Sequence, residues 1–362
     1  MIRAQIYVAA LATACAIGIA PIKAQTLRED GTRASIAMGT AVRPALFSER
    51  LYAATLAREF DMVEAEDAMK WWVIRPDQAT FDFTQADQVV AFAQLHHMKV
   101  RGHTLVWGWS NPAWLTNQSF DSLQLSRLLE QHVSRVVDHY RGKIFAWDVV
   151  NEAFDERGHL KSSLWYDSPG IGLARKSTAY IEQAFRWAHA ADPKALLFYN
   201  DSGGEPINEK SDAIYAMVKD FKRRGVPIDG IGFQMHIFDL HPDLPGIDTN
   251  IARLTALGIH VHITEMDIAL PVDALGNASE SDLERQAELY KQITSICTAH
   301  PGCDAIQTWG FTDKYSWIGW KTKGAKGAAL LFDRRYTAKP AYQGLRDALR
   351  SGRPPSLSLS EP

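Results

Sequence analysis

Eight short apolar or β-branched segments recur along the chain, and longer amphipathic segments separate them. The short segments are 35–42, 60–64, 99–106, 143–150, 195–200, 230–236, 259–265 and 304–310. Their length and composition are typical of buried strands. Strands that alternate with helices imply βαβ units and a parallel sheet. Eight such units in one chain favour a (β/α)8 TIM barrel over a doubly wound sheet.

The intervening segments carry helical signals. Thr84 is predicted to cap a helix that runs to His97, because Asp87 follows three residues later. Apolar residues at helical spacing predict a second helix over 122–140. No linker rich in proline and serine interrupts residues 28–350. The sequence therefore predicts one domain over residues 25–350.

The first 24 residues are predicted to be a secretory signal peptide. Arg3 gives a positive start, and residues 6–20 form an apolar run that is too short to span a membrane. Ala24 supplies the small residue that precedes a cleavage site. We therefore expect a secreted or periplasmic protein with no membrane association once the leader is removed.

Export has a consequence for the cysteines that remain in the mature chain. Cys297 and Cys303 are separated by only five residues. An oxidising compartment favours a disulfide between them, and two cysteines without further ligands do not make a zinc site. At the other end, residues 351–362 are rich in serine and proline and are predicted to be a disordered tail.

The charge balance limits the class of partner. Lys and Arg total 39 and Asp and Glu total 42, for a net charge of −3. Because no basic excess is available to neutralise phosphates, we expect no nucleic-acid partner. The 11 tryptophans indicate that some rings form flat platforms in a cleft while others pack in the core.

Polar side chains crowd the C-terminal ends of the predicted strands, where a barrel builds its active site. The fourth segment leads into Asn151 and Glu152, and the seventh leads into Glu265 and Asp267. Strands four and seven lie three positions apart in a ring of eight, so we expect Glu152 and Glu265 to face each other. Each follows a strongly apolar run, which disfavours a solvated surface position.

Two facing carboxyl groups suit the hydrolysis of a glycosidic bond. One carboxylic acid protonates the leaving oxygen, and the other carboxylate attacks the anomeric carbon or activates a water molecule. Retention requires carboxyl groups about 5–5.5 Å apart and inversion requires a larger separation. Sequence spacing alone leaves both outcomes open.

Five motifs sit at these strand ends: WDVVNEA, HITEMD, RGHTLVW, GFQMH and TWGFTDKYSW. Together they resemble glycoside hydrolase family 10, the retaining endo-β-1,4-xylanases, from about residue 37 to residue 342. The resemblance implies a barrel that cleaves internal β-1,4-xylosidic bonds of xylan by double displacement. It implies no metal or organic cofactor, and we expect a monomer.

The resemblance also suggests roles for individual residues. It implies Glu265 as the nucleophile and Glu152 as the general acid/base. His236 and Asp267 would hold Glu265 ionised and oriented, and Asn151 would donate to the 2-hydroxyl of the reacting sugar. Gln234 is expected to join the group around the nucleophile. The implied sugar contacts are Glu66, Asp67, Lys70, His103, Trp107, Trp309 and Trp317.

The sequence departs from the family pattern beside the non-reducing sugars. After RGHTLVW the family usually continues His-Ser-Gln, whereas this chain continues Gly108-Trp109-Ser110. Asn111 is a candidate to replace the missing amide. Asp67 stands where the family has an asparagine, and Ser202 stands where an aromatic residue is common. An ionised aspartate accepts hydrogen bonds but cannot donate them, which changes the hydroxyls it can bind.

These departures keep two alternatives open. One is another retaining glycanase of the same barrel clan that acts on glucan, mannan or decorated xylan. The other is a carbohydrate-binding protein built on an inactive barrel. The presence of both carboxylates and of their supporting residues disfavours the second alternative.

Overall fold

The computed structural model describes residues 25–352. The predicted leader and residues 353–362 of the predicted tail lie outside the described residues. In the described range the helices are α1 Leu27–Ala34, α2 Arg50–Glu59, α3 Trp71–Ile74, α4 Thr84–Leu95, α5 Ala113–Thr116, α6 Ser122–His139, α7 Ala179–Ala191, α8 Glu209–Arg223, α9 Leu244–Thr255, α10 Glu280–Ala299, α11 Ile318–Lys321 and α12 Pro340–Ser351. The strands are β1 Ala37–Val42, β2 Met62–Ala65, β3 Lys99–Trp107, β4 Ala146–Asn151, β5 Leu196–Asp201, β6 Gly230–Phe233, β7 His236–Ile237, β8 His260–Ile268, β9 Leu270–Pro271, β10 Cys303–Thr308 and β11 Lys326–Gly327.

Eight parallel strands close into a barrel. Their order is β1-β2-β3-β4-β5-β6-β8-β10, and β10 pairs back with β1. The strands are almost entirely buried, because side chains fill the barrel inside and helices cover it outside. The predicted (β/α)8 TIM barrel is confirmed, and each of the eight predicted segments contributes one barrel strand.

Backbone conformation shifts two of the predicted strand boundaries. The first strand begins at Ala37 instead of residue 35, because Ser35 adopts a left-handed conformation with φ of 57° and ends α1. The sixth strand ends at Phe233 instead of residue 236. Met235 has φ of 60°, which interrupts the extended chain before β7 begins at His236.

The prediction that Thr84 caps a helix is wrong. Thr84 is the first residue of α4, and the side chain of Asp82 accepts its backbone N–H at 2.9 Å. The helix ends at Leu95 rather than at His97. Asp87 does not complete a capping box; its carboxylate accepts a 3.0 Å hydrogen bond from the Tyr140 hydroxyl and so ties α4 to the end of α6.

The predicted disulfide between Cys297 and Cys303 is present. It joins the last turn of α10 to the first residue of β10, and both cysteines are buried. Among residues 25–352, no helix combines the length and the apolar character that crossing a membrane requires. Ser351, the first residue of the predicted tail, is the last residue of α12.

Candidate active site

The two predicted catalytic carboxyl groups lie at the C-terminal mouth of the barrel. Glu152 directly follows β4, and its backbone N–H donates to the carbonyl of Asn200 at 2.9 Å. Its φ of 53° is left-handed, a conformation that non-glycine residues adopt mainly where surrounding structure imposes it. Glu265 lies within β8 and is only 4% exposed, whereas Glu152 is half-buried.

A hydrogen-bonded chain of three ionisable groups fixes one side of Glu265. The His236 ring contacts Glu265 through Nε2 at 3.1 Å and Asp267 through Nδ1 at 3.0 Å. Carboxylates accept hydrogen bonds only, so both ring nitrogens carry protons. Burial lowers the pKa of His236, but the charge of Asp267 and the two hydrogen bonds raise it well above its usual value. Trp317 donates from Nε1 to the other Asp267 oxygen at 2.7 Å.

Asn200 holds the other side of the same carboxylate. Its amide nitrogen donates to Glu265 Oε1 at 2.7 Å and to Asn151 Oδ1 at 2.9 Å. The hydroxyl of Thr264 donates to the Asn200 oxygen at 2.7 Å, which fixes the orientation of the amide. Burial raises the pKa of Glu265, and the hydrogen bonds from His236 and Asn200 help to bring it below its usual value.

Sequence reasoning did not assign a role to Asn200. The signal was available, because this amide lies near the C-terminal end of the fifth strand, as Asn151 does on the fourth. Polar residues at that end of a barrel strand are candidates for the site.

Glu152 is held by two donors, one on β3 and one just after β6. Trp107 donates from Nε1 to Oε2 at 3.2 Å, and Gln234 donates from Nε2 to Oε1 at 3.0 Å. Gln234 also lies 3.3 Å from Asn151 Oδ1. Gln234 lies beside the nucleophile as expected, because its backbone carbonyl accepts the N–H of Glu265 at 3.1 Å, but its side-chain amide contacts Glu152. The arrangement links the two carboxyl groups through a continuous row of side-chain amides.

The predicted sugar contacts near β2 form two ion pairs. Arg43 donates to both carboxylate oxygens of Glu66, at 2.7 and 2.5 Å. Lys70 donates to Asp67 at 2.9 Å. Its ammonium group also lies 5.2 Å from the centre of the Trp107 ring, within cation–π distance. A second ring, that of Trp309, lies 5.6 Å from the same ammonium group.

Residues 108–111, which follow β3, form a loop that a side-chain hydrogen bond closes. Asn111 donates from its side-chain amide to the carbonyl of Gly108 at 3.0 Å, which closes the loop on itself. Trp109, at the tip, is 73% exposed. The Asn111 amide is therefore engaged within the loop. At the other altered segment, the backbone N–H of Ser202 donates to the carboxylate of Asp201 at 2.9 Å.

A buried ionic chain runs beneath the site along the barrel interior. His103 contacts Asp148 through Nδ1 at 3.0 Å, and Asp148 pairs with Arg101. Arg101 reaches Nδ1 of His262 at 3.0 Å, and Nε2 of His262 lies 2.8 Å from Asp304. Burial raises the pKa of Asp148, but the charge of Arg101 and the hydrogen bonds from His103 and Arg101 together keep that pKa below its usual value.

Two groups in the described chain have ligand atoms close enough to share a cation, namely His260 with His262 and Asp304, and Glu64 with His103 and Glu265. In each group a proton occupies the required histidine nitrogen. Arg101 only donates, so His262 accepts at Nδ1 and carries its proton on Nε2, which faces Asp304. His103 Nδ1 faces the Asp148 carboxylate at 3.0 Å and is likewise a donor. A cation at either group would have to displace that proton.

The geometry at this end of the barrel defines a class of enzyme. A buried ionised carboxylate and a half-buried second carboxyl group share one mouth, where Trp107 contacts Glu152, Trp317 contacts Asp267, and Trp309 packs against the rings of His103 and His236. Indole rings of this kind stack on sugar faces, and paired carboxyl groups cleave glycosidic bonds. The arrangement is that of a glycoside hydrolase on a (β/α)8 barrel.

Comparison with known proteins identifies the family. Residues 26–348 match the family described as Glycosyl hydrolase family 10. Endo-1,4-beta-xylanase B of Thermotoga neapolitana is 43% identical over 298 residues, which cover 82% of this chain and 83% of the relative. The chain belongs to glycosyl hydrolase family 10, which confirms the resemblance seen in the sequence.

Solved structures agree with this assignment. Xylanase 10B of Thermotoga petrophila RKU-1, crystallised in complex with xylobiose, superposes with a TM-score of 0.85 at 40% identity. The match covers 91% of this chain and 98% of that one. Native xylanase 10B of Thermotoga maritima gives a TM-score of 0.84 at 41% identity, over 90% of this chain and 98% of its own.

Proposed function

We propose that the protein is a secreted endo-β-1,4-xylanase that hydrolyses internal bonds of xylan with retention. Glu265 is the nucleophile and Glu152 is the general acid/base. The observation that carries the proposal is the environment of Glu265, which is buried yet receives hydrogen bonds from the His236 imidazolium and from Asn200. Family membership and relatives named xylanases support the substrate class.

The proposed reaction begins with Glu265 ionised and Glu152 protonated. The Glu265 carboxylate attacks the anomeric carbon while Glu152 gives its proton to the departing glycosidic oxygen, which releases the first product. Glu152, now ionised, takes a proton from water, and the resulting hydroxide displaces Glu265 from the sugar. Trp107 and Gln234 keep the Glu152 carboxyl group in place for both transfers.

Substrate binding is proposed to use the groups that remain available beside the nucleophile. Both contacts to Asn151 engage Oδ1, so its amide nitrogen is available to donate to the 2-hydroxyl of the reacting sugar. His103 presents Nε2 because Asp148 engages Nδ1. The rings of Trp107, Trp309 and Trp317 form the apolar walls on which sugar faces stack.

A substrate panel tests the substrate class. Release of reducing sugar from purified xylan, cellulose and mannan is measured with the mature chain, and the products are sized. We expect xylan turnover to exceed the other two by at least about tenfold. Comparable turnover on cellulose or mannan would contradict the choice of xylan.

Two further measurements test the site and the stereochemistry. Glu265→Ala and Glu152→Ala are each expected to lower xylan hydrolysis by more than about a thousandfold, whereas the exposed Glu130→Ala serves as a matched control that leaves it unchanged. Proton NMR of fresh product is expected to show the β-anomer first. An α-anomer that appears first would exclude retention.

The ion pairs near β2 favour a second candidate, a retaining glycanase with altered preference beside the non-reducing sugars. Arg43 occupies both oxygens of Glu66, and Lys70 is engaged by Asp67. These pairs limit the hydrogen bonds that Glu66 and Lys70 can offer to a sugar. Faster cleavage of decorated xylan than of linear xylan in the same panel would favour this candidate.

A further inference from the structure

Glu64 is a buried acid that the reaction described above does not use. It lies on β2, inside the barrel, and is fully buried. One of its oxygens, one of Glu265 and a ring nitrogen of His103 all lie within 4.8 Å of one another. Glu64 therefore places a second carboxyl group beside the nucleophile.

The positive charges around Glu64 do not balance a negative charge on its own carboxyl group. The neighbouring β1 contributes no titratable residue, and β3 contributes Arg101 and His103. Arg101 is already committed to Asp148 on β4, through Nε at 3.1 Å and through a second, shorter contact. Across the barrel, β8 contributes the ionised Glu265. Two adjacent carboxyl groups in a buried site cannot both ionise without a cation to balance them.

The hydrogen bonds of Glu64 are also too few for a carboxylate. Among the described residues Oε2 accepts a hydrogen bond from the side-chain amide nitrogen of Gln307 on β10, and Oε1 is buried with no hydrogen-bond partner. Nδ1 of His103 lies 3.3 Å from Oε1, but its proton is directed to the nearer Asp148. An amide can pair with a protonated acid through its oxygen as readily as with a carboxylate through its nitrogen.

From this geometry we propose that Glu64 is a neutral carboxylic acid and a positioning residue, which braces His103 beside the nucleophile without adding negative charge. The inference rests on the proposed function, in which Glu265 is the nucleophile. Burial and the charge of Asp148 raise the pKa of Glu64 well above its usual value, in agreement with the contacts. His103 then keeps Nε2 toward the sugar while Asp148 and Glu64 enclose Nδ1.

Infrared spectroscopy tests the protonation state directly. At about pH 7 the wild-type protein is expected to show the carbonyl stretch of a protonated carboxylic acid that Glu64→Gln lacks. Glu130→Gln, which changes an exposed glutamate, is the matched control and is expected to leave that band in place. If the wild-type and Glu64→Gln spectra do not differ in this band, Glu64 is ionised and the proposal is overturned.

The pH profile of kcat/KM tests the consequence for the nucleophile. If Glu64 is neutral, Glu64→Gln is expected to leave the acid limb within about 0.3 pH units of wild type. An ionised Glu64 less than 4.8 Å from Glu265 would raise the pKa of Glu265 and so displace the acid limb to higher pH. Its removal would then displace that limb to lower pH by about two units. A downward displacement of that size overturns the proposal.

Truncation separates the positioning role from simple packing. Glu64→Ala is expected to lower kcat/KM about tenfold, chiefly through KM, and Glu64→Gln is expected to recover activity to within about twofold of wild type. An equal loss in both variants contradicts the role. These outcomes are distinct from failure of the proposed function. Activity in Glu265→Ala would refute the assignment of Glu265 as the nucleophile, whereas the infrared band reports on the protonation of Glu64 in either case.

Discussion

Replacing His236 by asparagine separates the two contacts of its ring. The asparagine amide reproduces the position of Nδ1, which contacts Asp267, but does not reach the position of Nε2, which contacts Glu265 at 3.1 Å. The variant therefore removes a charged hydrogen-bond donor from the nucleophile and leaves the remaining Asn200 contact intact.

The size of the effect follows from the lost interaction. A hydrogen bond to a charged group contributes about 1.5–3 kcal/mol, and one pKa unit corresponds to about 1.4 kcal/mol. Because the His236 contact favours the ionised form of Glu265, its loss raises the pKa of that carboxyl group. We expect the acid limb of kcat/KM to move upward by about one to two pH units.

The assay measures kcat/KM for a soluble xylo-oligosaccharide between about pH 3 and pH 8. The loss of activity is expected to be larger at about pH 5 than at about pH 7, because Glu265 remains ionised at neutral pH in both proteins. His236→Gln is the control: its longer side chain places a neutral amide near the position of Nε2, so a smaller displacement is expected. An acid limb that stays within about 0.3 units of wild type in His236→Asn would refute the reasoning.

Three predictions concern stability. Burial and the charge of Arg75 hold the pKa of His132 well below its usual value. Below about pH 6.5 the unfolded chain therefore binds a proton on this residue while the folded chain does not, so the free energy of unfolding falls as the pH falls. Urea unfolding of His132→Phe at several pH values is expected to flatten that decline by up to about 1.4 kcal/mol per pH unit, and an unchanged slope would contradict this. Replacing both cysteines of the disulfide by serine is expected to lower the free energy of unfolding by about 2 kcal/mol, because the closed loop is short, without loss of xylanase activity. Gly344→Ala would place a Cβ atom 2.2 Å from the backbone oxygen of Ala287, where α12 packs on α10, and is expected to cost about 1–3 kcal/mol in the same assay. Gly319→Ala, whose Cβ would meet nothing within 4 Å, is its control, and equal losses in the two variants would contradict the packing argument.

Local pattern predicted the strands well and their boundaries less well. Apolar runs are a direct consequence of burial on both faces of a parallel sheet, so all eight were visible in the sequence. The end of the sixth run was not, because Met235 adopts a left-handed conformation that its residue type does not announce. Likewise Thr84, predicted as the cap, is the first residue of α4, and Asp82, two residues earlier, accepts its backbone N–H.

The sequence by itself determined the barrel, the family and which carboxyl groups stand at the strand ends, since each depends on the order of residues along the chain. Tertiary structure alone decided which side chains meet. Gln234 contacts both glutamates, Glu265 through its backbone carbonyl and Glu152 through its side-chain amide. In the sequence Glu64 is the last residue of an apolar segment. Closure of the barrel brings it beside Glu265 and Gln307, which lie on strands far from it along the chain. Charge pairing across a closed barrel depends on distances in three dimensions, which sequence spacing does not contain.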